Sequence, residues 1–120
     1  MARIQLENVK KKFGKVTALD GVTIDVKDNE FFVLFGPAGA GKTTMLNCIA
    51  GITLPEEGLI KFDGEIMNLV DPAHRNVAMT FENYALYPHM TVYDNMAAAL
   101  RSNLYKTDEA TIKEKVYKAA

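Results

Sequence analysis

The feature that most constrains the fold of this chain is a glycine-rich segment between an apolar run and a helical pattern. Residues 36–43, GPAGAGKT, match the pattern G-x-x-x-x-G-K-[ST] of a phosphate-binding loop. In such a loop, glycines let successive backbone N–H groups point at one anion, and the following helix adds the positive end of its dipole. The pattern therefore predicts a strand, a phosphate-binding loop and a helix, in that order.

The flanking segments favour this interpretation over the alternative, an incidental glycine-rich turn. Residues 31–35, FFVLF, are continuously apolar, as in a strand that is buried on both faces of a parallel sheet. The apolar stretch 45–50, MLNCIA, follows the loop, and Gly51 provides a helix end. We therefore predict that the chain binds a nucleoside triphosphate, with Lys42 reaching the β- and γ-phosphates and the Thr43 hydroxyl binding Mg²⁺.

Hydrophobic patterns predict the remaining strands. Residues 3–9 and 22–26 alternate apolar and polar side chains, which is typical of half-buried strands. A short strand pair is expected within residues 58–67, around an Asp-Gly turn. The apolar segment 76–81, NVAMTF, is expected to form a further strand, whereas the lysine-rich segment 10–15, KKKFGK, is expected to be a loop.

Two helices are predicted in the last third of the chain. Thr91 is followed three residues later by Asp94, which resembles a capping box and indicates a helix from there to about Leu100. The segment from Asp108 to the end has apolar side chains on one helical face and lysine or glutamate on the other. It is therefore predicted to be a second, amphipathic helix.

Composition limits the kind of protein this can be. The net charge of the 120 residues is -1, which argues against a general nucleic-acid-binding protein. No apolar run approaches the ~20 residues of a membrane span. Cys48 is the only cysteine, so no internal disulfide can form and a reducing compartment fits. We expect one soluble cytoplasmic domain that binds no nucleic acid.

Three collinear segments resemble the ATPase subunits of ABC transporters, and most of all the branch that drives sugar import. They are KKFGKVTALDGVTIDV, FFVLFGPAGAGKTTMLNCIAGITLPEEGLIKFDGEIM and RNVAMTFENYALYPHMTVYDNM. The resemblance covers nearly the whole chain. It implies an α/β fold, a P-loop NTPase core with an N-terminal antiparallel β-subdomain, truncated before the Walker B strand. It also implies ATP and Mg²⁺ as cofactors.

The resemblance implies three structural parts for this N-terminal portion of an ATP-binding domain. Residues 1–30 and 58–70 correspond to the antiparallel β part. Residues 31–57 and 76–83 correspond to the P-loop core. Residues 91–120 correspond to the start of the helical subdomain.

The same resemblance assigns the nucleotide-binding residues. Phe13 matches the family's A-loop aromatic, which stacks on adenine; packing against the first strands is the alternative for this side chain. Glu82 stands where the family has the Q-loop glutamine, whose side-chain oxygen contacts Mg²⁺ and the attacking water. The predicted metal ligands are thus Thr43 and Glu82. Besides Phe13 and Glu82, the predicted cofactor-binding residues are those of the loop and the start of its helix, Gly36, Pro37, Ala38, Gly39, Ala40, Gly41, Lys42, Thr43 and Thr44.

Partner subunits are implied as well. The segment from Asn83 to Met90 resembles the strip that faces the transmembrane subunits of an importer. Its aromatic and apolar residues suit a partner-binding surface, although Tyr84, Leu86 and Tyr87 could instead pack the helical subdomain. The family also implies a second ATPase subunit, in a dimer, and a peripheral position at the cytoplasmic face of the cell membrane.

Two features of the family are missing from this sequence. There is no LSGGQ signature loop, and no apolar strand ends in Asp followed by the catalytic Glu of a Walker B site. LIKFD, at 59–63, is interrupted by Lys61 and followed by Gly64, which predicts a hairpin. We therefore expect no catalytic residue within this chain. The complete domain is expected to be an ABC-type ATP hydrolase, whereas the 120 residues bind ATP without turnover.

Three functional hypotheses remain open from the sequence. The first is the ATP-binding portion of an importer ATPase that couples ATP binding and hydrolysis to transport of a solute such as a sugar. The second is a non-hydrolysing nucleotide-binding or docking module that a separate chain completes. The third is an unrelated P-loop enzyme such as a small-molecule kinase, for which the matches at Phe13 and Glu82 would be coincidence.

Overall fold

The computed structural model describes all of residues 1–120, which divide into two compact units, Met1–Met79 and Thr80–Ala120. The first unit contains an antiparallel sheet, one α-helix and a short 3-10 helix (Pro72–His74), and the second contains two α-helices. No helix of the structure combines the length and the apolar composition that crossing a membrane would require.

The sheet of the first unit has four strands in the order β2-β1-β3-β4. They are β1 (Ile4–Phe13), β2 (Val16–Val26), β3 (Glu57–Phe62) and β4 (Glu65–Ile66), and every neighbouring pair is antiparallel. The hairpin β3–β4 confirms the strand pair predicted within residues 58–67. The predicted N-terminal antiparallel sheet is therefore present.

The first hairpin is longer than the sequence patterns indicate. The segment 10–15 was expected to be a loop, but β1 continues to Phe13, which pairs with Val16 at the start of β2. Only two residues connect the strands, and Gly14 permits this tight turn because its φ is +58°. Lysines have polar ends but long apolar stems, so they are compatible with the end of a hairpin that solvent reaches.

The helix α1 (Lys42–Ala50) packs against the sheet and fixes the position of the glycine-rich loop. The strand residues Leu6, Val9 and Ile60 and the helix residue Cys48 are each 1% exposed or less. Burying a large aliphatic side chain contributes roughly 1.5–3 kcal/mol. Cys48 is thus a small buried apolar group of this core, as the sequence suggests.

Two predicted strands do not form. Residues 31–35 and 76–81 contain no strand, and Phe31 and Phe35 are 94% and 96% exposed. A strand exists only where its N–H and C=O groups bond to a neighbouring strand, and no strand of the structure pairs with either segment. The prediction of a strand buried on both faces at 31–35 is therefore wrong for this structure.

In the second unit, both predicted helix starts are confirmed. The helix α2 (Val92–Ala97) begins after Thr91, whose hydroxyl oxygen accepts a hydrogen bond from the backbone N–H of Asp94 at 3.1 Å. The helix α3 (Glu109–Ala119) begins after Asp108. The carboxylate of Asp108 accepts from the backbone N–H and the hydroxyl of Thr111, and these bonds lower the pKa of Asp108. However, α2 ends before Leu100.

Packing and charge join α2 and α3. Ala97 from α2 and Ile112 and Val116 from α3 form a small buried core. Arg101 binds carboxylates on both sides of this core, Asp94 at 2.9 Å and Glu109 at 3.0 Å. Because these groups are exposed to solvent, most of the stability of the helix pair comes from the apolar contacts.

Candidate phosphate-binding site

The glycine-rich loop adopts a conformation that its glycines make possible. Gly39 and Gly41 have φ values of +81° and +90°, in the left-handed region that side chains disfavour. A Cβ atom at Gly41 would lie 2.5 Å from the carbonyl oxygen of Ala18 on β2. Glycine is therefore required at Gly41 both by the backbone angle and by the closeness of the sheet.

Lys42 places its charge inside this loop. Its Nζ donates to the carbonyl oxygens of Gly36 and Pro37, each at 2.6 Å. The ammonium group is thus held against the start of the loop rather than extended into solvent. A compact charge with three donors in this position can exchange carbonyl acceptors for phosphate oxygens.

The start of α1 adds backbone N–H donors next to this loop. In the first backbone hydrogen bond of α1, the N–H of Met45 donates to the carbonyl oxygen of Gly41, at 2.9 Å. The N–H groups of Lys42, Thr43 and Thr44 precede it and therefore have no acceptor within the helix. Unpaired N–H groups at the positive end of a helix form a favourable site for an anion.

An open groove of about 470 Å³ runs along the loop. Its lining contains one cation and no carboxylate, so its electrostatics favour an anionic ligand. The hydroxyl-bearing threonines at the start of α1 belong to the lining, as the predicted Mg²⁺ site requires. The lining residues are Val16, Thr17, Ala18, Ala38, Gly39, Gly41, Lys42, Thr43 and Thr44.

Phe13 lies next to this groove without lining it. It pairs across the first hairpin with Val16, which is one of the lining residues. The Phe13 side chain is 50% exposed, so the core of the sheet does not enclose it. The ammonium of Lys11 lies over the ring, 5.1 Å from its centroid. The structure therefore brings an accessible aromatic ring close to the predicted phosphate site.

Glu82 lies in the second unit, outside any helix or strand, and its side chain is exposed. No hydrogen bond or ion pair of the protein holds its carboxylate. The structure therefore describes Glu82 as a solvent-facing acid that follows the apolar segment 76–81. Its role towards a nucleotide stays a prediction from the resemblance.

The aromatic segment after Glu82 is exposed too. Tyr84, Leu86 and Tyr87 are 71%, 69% and 51% exposed, so they are not part of the core between α2 and α3. Asn95, which the sequence patterns do not single out, fixes the end of this segment. Its amide exchanges hydrogen bonds with the backbone N–H and C=O of Tyr87, at 2.8 and 3.1 Å.

Arg75 is a second residue that sequence reasoning misses. It is 4% exposed, and its guanidinium donates to the carbonyl oxygens of Cys48 and Ile49 at the end of α1, at 3.0 and 2.9 Å, and to Val70 at 2.8 Å. Burial lowers its pKa. This cation satisfies the C-terminal carbonyls of the helix that begins at the loop. Nothing in the local sequence distinguishes it from a surface arginine.

Residues 19–120 match the family model described as ABC transporter. The chain belongs to the ABC transporter family. This ABC transporter chain is 45% identical over its whole length to the sn-glycerol-3-phosphate import ATP-binding protein UgpC of Bordetella pertussis, and covers 33% of that relative. It is 44% identical to the protein of the same name from Brucella abortus, covering 34% of it.

Solved structures of the family agree with the fold. One is a nucleotide-free ATP-binding cassette from an ABC transporter, with a TM-score of 0.73 and 28% identity over 94% of this chain and 51% of that one. Another is a dimeric ATP-binding cassette in a post-hydrolysis state, bound to ADP and Pi, with a TM-score of 0.78 and 28% identity over 96% of this chain and 54% of that one. The chain thus covers about half of each of these solved chains, whereas it spans about a third of the length of the curated relatives it matches.

Proposed function

We propose that this ABC transporter chain is the ATP-binding portion of an importer ATPase, which couples ATP binding and hydrolysis to the import of a solute such as a sugar. The observation that carries the proposal is the loop geometry around Lys42. There, one ammonium and the free N–H groups at the start of α1 face a groove without carboxylates. The names of the relatives, which are import ATP-binding proteins, support the same function.

Each part of the nucleotide has a proposed partner on this chain. The backbone N–H groups of the loop and the ammonium of Lys42 bind the phosphates. Thr43 offers a hard hydroxyl oxygen to Mg²⁺, which neutralises phosphate charge when bound, and the groove fits this because its lining threonines are oxygen donors. Phe13 offers a ring face to the adenine base.

The remaining parts of the proposal rest on the family resemblance. Glu82 is proposed as a second oxygen donor for Mg²⁺. The exposed segment from Asn83 to Met90 is proposed to contact the transmembrane subunits, at the cytoplasmic face of the membrane. Hydrolysis is assigned to the complete domain in a dimer with a second ATPase subunit, because this chain contains no group placed to act as catalytic base.

Replacing Lys42 tests the proposal. Hydrogen bonds to a charged group contribute about 1.5–3 kcal/mol each, so we expect Lys42→Ala to weaken MgATP binding by roughly tenfold to a hundredfold. Isothermal titration calorimetry on the purified chain measures this effect. Lys15→Ala is the matched control, since Lys15 lies in the turn between β1 and β2 and does not line the groove.

Two results would contradict the proposal. One is equal MgATP affinity for the Lys42→Ala variant and the unmodified chain. The other is an equal loss for Lys42→Ala and Lys15→Ala, which would indicate a general charge effect rather than a site. Circular dichroism of both variants checks that the sheet and α1 are retained.

A further inference from the structure

The Phe13 ring lies beside a lysine whose ammonium is bound by a glutamate. Lys11 and Phe13 are two residues apart on β1, where the pairing with β2 is irregular between Lys11 and Lys12, and their side chains lie together. The Nζ of Lys11 lies 5.1 Å from the centroid of the ring. The same Nζ lies 2.9 Å from Oε1 of Glu56. These three side chains form the Lys11–Phe13–Glu56 cluster.

Glu56 is itself fixed to the hairpin. Its second carboxylate oxygen accepts from the backbone N–H of Lys12 at 2.8 Å, and its own N–H donates to the carbonyl of Lys10, also at 2.8 Å. The Lys11 side chain is 13% exposed, which is low for a lysine on a surface hairpin. The ammonium therefore has a defined position over the ring rather than a solvated one.

The neighbouring lysines differ from Lys11 in this respect. The Nζ atoms of Lys12 and Lys15 make no hydrogen bond or ion pair, and Lys10 only approaches Glu57 at 4.0 Å. The run of four lysines is thus not uniform. Of the four, Lys11 makes the closest contacts: its ammonium binds Glu56 and lies over the Phe13 ring beside the groove.

The cluster leaves the Phe13 ring half exposed. An ammonium over an aromatic ring is attracted by the negative potential of that face. Phe13 is 50% exposed, so part of its ring stays accessible beside the Lys11 ammonium. The exposed part of the ring is available to a planar ligand.

We propose that Lys11, held by Glu56, is a positioning residue that fixes the Phe13 ring as a platform for the adenine base. The inference rests on the nucleotide-binding function proposed above and adds to it. A ring that is ordered before binding loses less conformational freedom when the base stacks on it. Lys11 acts through Phe13 and makes no contact of its own with the nucleotide.

Comparing two ligands on the full 120-residue chain tests this inference. Magnesium tripolyphosphate has the phosphates but no base, so it reports the loop, whereas MgATP reports the loop and the platform. We expect Lys11→Met to weaken MgATP binding about two- to tenfold, the range for freeing one ordered side chain, and to leave tripolyphosphate binding unchanged. Lys11→Arg, which keeps the cation over the ring, should restore MgATP binding. Lys12→Met is the matched control and should change neither affinity.

A second measurement follows the ring itself. The chain has no tryptophan, so Phe13→Trp introduces a single fluorescent reporter at the platform. Adding Lys11→Met or Glu56→Gln to this variant should lower the fluorescence anisotropy of the nucleotide-free chain, because the ring is released. Unchanged anisotropy in both double variants would overturn the inference.

The binding outcomes also separate the two proposals. Equal MgATP affinity in Lys11→Met and the unmodified chain overturns the role of Lys11 while the proposed function stands. An equal loss for MgATP and tripolyphosphate overturns it as well, since Lys11 would then support the fold rather than the base. If the unmodified chain binds neither ligand, the proposed function fails and the inference fails with it.

Discussion

The phosphate-binding loop and the apolar run directly before it differ in where their partners lie. The loop, residues 36–44, is held by groups of the same unit: the closely packed carbonyl of Ala18 and the contacts of Lys42 with Gly36 and Pro37. The run, residues 31–35, has no ladder partner and exposes two phenylalanines almost completely. The two segments are adjacent, yet only the loop has the contacts that its predicted conformation needs.

This difference shows that a motif can form its local geometry without the sheet to which it is attached. The loop depends on backbone angles, on helix α1 and on the first hairpin, all of which are formed here. A central strand depends on neighbours on both sides, and its free energy comes from pairing and two-sided burial. The candidate site is therefore less sensitive to the state of residues 31–35 than their adjacency suggests.

The largest expected effect is on the loop. Gly41→Ala places a methyl group 2.5 Å from the carbonyl oxygen of Ala18, at a φ of +90°. Strain at such backbone angles costs about 1–3 kcal/mol, and overpacking adds a similar amount. We expect a loss of about 2–6 kcal/mol in the free energy of unfolding and no measurable MgATP binding. Urea denaturation followed by circular dichroism, together with calorimetry, measures both.

Gly14→Ala is the matched control for this change. Gly14 also has a positive φ, of +58°, but a Cβ atom there meets nothing within 4 Å. The control should therefore lose only about 1 kcal/mol, the cost of the backbone angle. If Gly41→Ala and Gly14→Ala have the same effect, then the packing of β2 against the loop does not hold the site.

The same contrast explains which structural features can be predicted from the sequence. Features with partners a few residues away are confirmed: Thr91 caps α2, Asp108 caps α3, and Gly51 ends α1. Those features depend on local hydrogen bonds that residue type nearly determines. The strand at 31–35 depends on pairing with distant residues, which the local pattern of apolar side chains does not describe.

Within the candidate site too, local motifs can be predicted from the sequence, whereas contacts between distant residues cannot. The loop motif predicts Lys42, Thr43 and the glycines, because their spacing is specific to phosphate binding. The contact of Arg75 with Cys48 and that of Lys11 with Glu56 join chain segments far apart in sequence. Such pairs follow from how distant segments of the chain pack together, which composition and periodicity leave open.

An intermediate effect, on ATP binding, is expected for a substitution of Glu82. Like residues 31–35, it has no protein partner, but it is charged. Glu82→Gln removes a carboxylate while keeping an oxygen donor, so ATP binding in a chelator of Mg²⁺ should tighten about threefold, the effect of one like-charge interaction of ~0.7 kcal/mol in water. Calorimetry with ATP and EDTA measures it. Equal affinities in chelator would indicate that Glu82 does not approach the phosphates, and Glu65→Gln on β4 serves as the control.

The smallest expected effect is on the apolar run itself. Phe35 is 96% exposed, so Phe35→Ser should change the free energy of unfolding by no more than about 0.5 kcal/mol. It should also reduce self-association, because it shortens an exposed apolar segment with unpaired backbone groups. Urea denaturation and sedimentation velocity measure the two effects.

Leu6→Ala is the internal standard for this last prediction. Leu6 is 1% exposed in the core between the sheet and α1, and truncating such a side chain costs about 2–5 kcal/mol. A loss of that size in Phe35→Ser would show that residues 31–35 are buried in a paired strand, as the sequence alone predicts. A negligible loss, with weaker self-association, would show that the run has no partner within the chain.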